Sequence, residues 1–157
     1  MEIATHREKI ERLTDLLTRL EPVEDFEIWM WASMTAATNA LNAALHHLGV
    51  TEPGKLYPHQ IPGLYVEPQP VEEWHWRKVF AAPGDVIHLG LPPLAGTIPD
   101  GVFEAAKALA VIEDMREEYV RGAQPIGPQL VDQCAAAYRS CMTILEDILA
   151  GPPGGVS

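Results

Sequence analysis

The chain has 157 residues, 47% of them hydrophobic and 21% charged, which fits one ordinary globular domain with its own core. Its 22 acidic side chains outnumber 11 basic ones, for a net charge of −11 spread along the whole length. Such a field repels phosphate backbones and anionic membrane surfaces, so no nucleic-acid partner and no membrane partner is expected.

The first stretch, "THREKIERLTDLLTRL", reads as an amphipathic helix with Ile10, Leu13, Leu16, Leu17 and Leu20 at helical spacing. Thr5 and Glu8 stand in the capping-box relation, so the helix is expected to start there. Pro22 ends it or opens the next one. No apolar run follows a basic start at the N-terminus, so no signal peptide is expected, and the cytoplasm is the expected location.

The second stretch, "EDFEIWMWASMTAATNALNAALHHLGV", is almost free of charge from Ile28 to Leu48. A helix that is apolar nearly all round is buried on several sides. Ala32, Ala36, Ala40, Ala43 and Ala44 permit close approach by neighbours. The helix is therefore expected at the centre of a bundle or in an interface between copies of the chain. Gly49 suits its C-terminal stop.

Between Val50 and Ile98 the periodicity breaks, and this region holds eight of the fourteen prolines. Irregular segments of this length inside a domain are often functional. A short helix is expected over 71–80, with Pro70 at its start. "APGDVIHLGLPPLAG" resembles the proline-glycine-aspartate lead-in to a strand in cupin barrels. That resemblance spans about fifteen residues without the paired histidine motif or the other strands, so it implies a turn and a strand-like stretch and no cupin activity.

A third helix is expected from Pro99 or Asp100 to Gly122, and a fourth from Pro128. Leu130, Cys134, Tyr138, Cys141, Leu145 and Ile148 alternate four and three apart, one seam of a helix. Cys134 and Cys141 are two turns apart, about 10 Å between Cα atoms, too far for a disulfide. They read as small buried residues of a reducing compartment.

The expected fold is mainly α: an antiparallel four-helix bundle over 1–150, with the Pro-rich insertion 50–98 between helices 2 and 3 and a flexible tail over 151–157. This helical layout is similar to that of the HEPN class of small bacterial bundles. Many of those are RNases with an Arg followed a few residues later by a His in a late helix. Arg139 in "YRSCMTILEDIL" has no such His, so the layout implies no RNase activity.

Two regions carry candidate chemistry. Thr35, Thr38, Asn39, Asn42 and His46 recur at steps of three or four, a polar stripe on an otherwise apolar helix. Buried amides and imidazoles need partners, so the stripe fits a polar pocket or a fixed helix register. The insertion adds Trp74, His75 and Trp76. A pocket for a small, partly apolar molecule is the leading expectation, lined by Asn39, Asn42, His46, Trp74, His75 and Trp76.

An alternative is an enzyme of hydrolase or oxygenase type, with His75 or His88 as general base, oriented by Asp85 or Glu73, or with a His/carboxylate metal site. No cofactor is predicted. A divalent metal on His59, Glu72, His75 and His88 is a weaker alternative, because "EEWH" supplies only one Glu-x-x-His and bundle sites pair two. A third reading is a homodimer or partner-binding module joined through the Ala-rich second helix and anchored by tryptophans.

Overall fold

The computed structural model describes residues 1–53 and 99–154. The expected helix over 71–80, the strand-like stretch and the candidates His59, Glu72, Glu73, Trp74, His75, Trp76, Asp85 and His88 lie outside the described residues. Four helices make up the rest: α1 (Ile3–Leu17), α2 (Phe26–His47), α3 (Asp100–Tyr119) and α4 (Pro128–Ala150). The described part is mainly helical. None of its helices is long and apolar enough to cross a membrane.

The ends of the helices follow local chemistry. Pro128 is the first residue of α4, where its missing N–H costs nothing. Gly49 follows α2 at φ +71°. The Val50 N–H bonds Leu45 O at 2.9 Å and the Gly49 N–H bonds His46 O at 3.1 Å, the paired bonds of a Schellman turn. The start of α1 differs from the expected capping box. Its N-cap is Glu2, with no side-chain cap bond, and Thr5 lies within the helix. A box contributes about 1 kcal/mol, and the helix starts three residues earlier than it predicts. α1 also stops at Leu17 and α3 at Tyr119, each a few residues before the sequence-based bounds.

α2 packs against all three other helices, whereas the backbone of α1 comes close to α2 alone. Ala36, Ala37, Ala40, Ala43 and Ala44 are buried and allow this crowding. α2, α3 and α4 enclose an apolar core of Met30, Leu41, Leu45, Leu109, Ile112 and Leu145. Each such side chain contributes about 1.5–3 kcal/mol by leaving water. Of the predicted α4 seam, Leu130, Cys134, Cys141 and Leu145 are buried, while Tyr138 and Ile148 are half-buried against them. Burial pushes both thiols up from their ordinary value of 9.0, Cys141 to about 12.

One end of the molecule is laced together. His47 Nε2 donates to Gly151 O at 2.9 Å, and the Gly154 N–H donates to His47 O at 3.0 Å. The C-terminal ends of α2 and α4 therefore meet, with Gly151 and Gly154 hydrogen bonded to His47. At the same end, α3 begins against α4. A Cβ at Gly101 would come within 3.3 Å of Ile148 Cδ1, so glycine allows this close approach.

Candidate functional site

The polar stripe of α2 turns partly inward. Thr35 is exposed and Thr38 half-buried, while Asn39, Asn42 and His46 are buried. The stripe supplies many of its own partners. Thr35 and Thr38 hydroxyls donate to the carbonyls of Trp31 and Met34, each at 2.7 Å. Asn39 Nδ2 donates to Thr35 O at 2.7 Å, and Asn42 Nδ2 to Thr38 O at 3.0 Å. Each amide thus spends a donor on its own helix one turn back, an arrangement that polar side chains adopt readily.

That choice fixes the amide of Asn39. With Nδ2 held by a carbonyl, Oδ1 faces away from the helix axis as an acceptor. His6 Nδ1 lies 2.9 Å from it. An amide oxygen can only accept, so His6 Nδ1 carries the proton and donates. His6 is the one side chain of α1 that is wholly buried, while the apolar Ile10, Leu13, Leu16 and Leu17 are only half-buried.

His46 lies beside this pair. Its ring centroid is 5.5 Å from that of His6, tilted by 42°. Its Nδ1 is 2.7 Å from Thr51 Oγ1. Thr51 is itself buried, and the turn at Gly49 brings it back onto α2. The result is an array of two imidazoles, two amides and a hydroxyl at the end of the α1–α2 seam. It offers oriented donors and acceptors in a dry setting, where each hydrogen bond is stronger and each unmet one costlier.

The structure therefore brings Asn39, Asn42 and His46 together and adds His6 and Thr51, which the sequence reading omitted. His6 left a signal: it stands four before Ile10, on the line 6-10-13-17-20 that carries the apolar face. Thr51 left none, since it arrives only through the turn. His47, one residue from His46, points to Gly151 instead. Among the described residues no three His, Cys, Asp or Glu side chains are placed to hold a metal.

Glu113 and Arg116 of α3 face one another at 4.0 Å, away from the array. Burial pushes the Glu113 carboxyl above the usual carboxylate range, against the pull of Arg116. Arg116 also lies over the exposed Trp31 ring, 5.8 Å from its centroid.

Comparison with protein-family models, with curated proteins and with solved structures found no match for this chain.

Proposed function

We propose that this chain is a small-molecule binding protein whose polar contacts come from His6, Asn39, Asn42, His46 and Thr51. One observation carries the reading. Five polar side chains, two of them imidazoles 5.5 Å apart, are gathered at the end of one helix seam. A seam that only needed to hold two helices together would do so more cheaply with apolar side chains.

In this reading the helices run as antiparallel hairpins in a four-helix bundle, with residues 50–98 inserted between α2 and α3. Thr51 and Gly101, on either side of that insertion, both belong to the end of the bundle where α2 and α4 finish. This favours the insertion, with Trp74, His75 and Trp76, as the second wall of the pocket. The ligand is small and partly apolar, and the protein acts in the cytoplasm.

The test is a ligand-observed NMR screen of a fragment library against the full chain, repeated on His46→Gln and on the pair Trp74→Ala, Trp76→Ala. The reading expects hits that weaken about tenfold or more in both variants, a loss of about 1.4 kcal/mol. A library in which no hit weakens in either variant would overturn it.

A second reading, a homodimer, draws on α2 itself. Ile28 is 55% exposed and Trp31 44%, both on its first turns. Sedimentation equilibrium that finds only monomer at high micromolar concentration would remove it.

A further inference from the structure

α1, α2 and α4 also frame an open cleft of about 390 Å³, lined by Arg7, Ile10, Glu11, Ala40, Met142, Glu146, Leu149 and Ala150. We propose that this cleft is a second binding site, for a zwitterion the size of an apolar amino acid.

The site is separate from the imidazole–amide array. Successive residues on a helix point about 100° apart. His6 and Asn39 serve the array, while their neighbours Arg7 and Ala40 line the cleft. The two sites share no residue. The cleft exists because the backbone of α1 meets α2 and does not come close to α4. Farther along, the side chains of Thr14 of α1 and Tyr138 of α4 come near one another across the gap.

The chemistry of the lining points to the ligand. Ile10, Ala40, Met142 and Leu149 offer an apolar floor. Arg7, Glu11 and Glu146 stand at the rim, exposed, and none of them makes an ion pair among the described residues. The carboxylates come from facing helices, Glu11 from α1 and Glu146 from α4. An ammonium group lodged between them would meet opposite charge on both sides. The Arg7 guanidinium, one turn from Glu11, presents paired N–H donors suited to a carboxylate. A ligand carrying both charges satisfies all three groups. A simple anion would face two carboxylates, and a simple cation would meet the guanidinium. The volume sits at the small end of ligand pockets, which run from about 300 to 1,000 Å³, and so suits a single amino acid better than a cofactor.

The experiment is an NMR titration of the full isotope-labelled chain with three probes of one shape. These are L-phenylalanine, phenylethylamine (no carboxylate) and 3-phenylpropanoate (no ammonium). The expected result is that phenylalanine shifts the resonances of Ile10, Met142 and Leu149 and binds at least about tenfold more tightly than either analogue. Arg7→Gln then erases the advantage over phenylethylamine, and Glu11→Gln with Glu146→Gln erases the advantage over phenylpropanoate. These are exposed positions, where substitution leaves the fold intact. Absence of shifts at the cleft with phenylalanine, or an analogue that binds equally well to the parent chain, overturns the proposal.

Discussion

The two sides of α2 are built on opposite principles. Toward α3 and α4 it buries Met30, Leu41 and Leu45 among Leu109, Ile112, Cys141 and Leu145, with no charge among them. Toward α1 its C-terminal half buries Asn39, Asn42 and His46, and Asn39 and His46 meet another histidine, His6. The first seam gains its stability from apolar area and close packing. The second gains little net free energy per contact, because each hydrogen bond replaces one to water. Its groups are costly to leave unmet, so it specifies geometry more than it adds stability. The lesson is that one helix can carry the core on one face and hold oriented polar chemistry on another.

Substitutions should separate the two seams. Leu145→Ala, in the apolar seam, should cost about 2–5 kcal/mol and lower the urea midpoint of the whole molecule. His6→Leu, in the polar seam, leaves the buried Asn39 oxygen without its donor and should cost about 1–3 kcal/mol. Its signature should be local. Amide exchange should quicken in α1, whose backbone comes close to α2 alone, more than in α4. Adding Asn39→Leu should restore part of the loss, since removing both partners is milder than removing one.

Alkaline pH tests the apolar seam from another direction. The Cys141 thiol ionises near 9.0 in the unfolded chain and is pushed up to about 12 by burial in the fold. The native state therefore holds its proton more tightly. This contribution is whole below pH 9 and is lost as pH rises toward 12. At pH 10, about one pH unit above the ordinary value, the loss is about 1.4 kcal/mol. Urea unfolding at pH 8 and pH 10 should show it as a larger loss of stability between the two pH values in the parent than in Cys141→Ala. A thiol reagent at pH 8 should leave both cysteines unmodified until urea unfolds the chain.

Smaller effects sharpen the contrast. Gly49→Ala forces a side chain into a left-handed conformation at φ +71° and should cost about 1 kcal/mol. Because that turn carries Thr51 to His46, the variant should also disturb the array, seen as shifts of the His46 ring protons. At the far end of the scale, the exposed Lys107–Glu104 pair at 2.8 Å should contribute no more than about 0.5 kcal/mol in a double-mutant cycle.

The sequence was informative where local physics decides. Proline at position 128 and glycine at position 49 mark helix ends for steric reasons that no neighbour can overrule. The seam of α4 and the shared face of Asn39, Asn42 and His46 follow from the 3.6-residue period alone. The start of α1 is not legible in the sequence because a capping box is a weak signal, worth about 1 kcal/mol. His6 was overlooked because a histidine does not count as a core residue, although its spacing from Ile10 put it on the core line. Thr51 and the cleft between α1 and α4 depend on how helices meet, which no local pattern encodes.

The most direct test of the account is a set of chemical-shift changes from a fragment hit, mapped on the full chain. The account predicts changes concentrated at His6, Asn39, Asn42, His46 and Thr51, with Leu109 and Leu145 of the apolar seam unmoved. A hit that perturbs the apolar seam and leaves the five polar residues unchanged would contradict it.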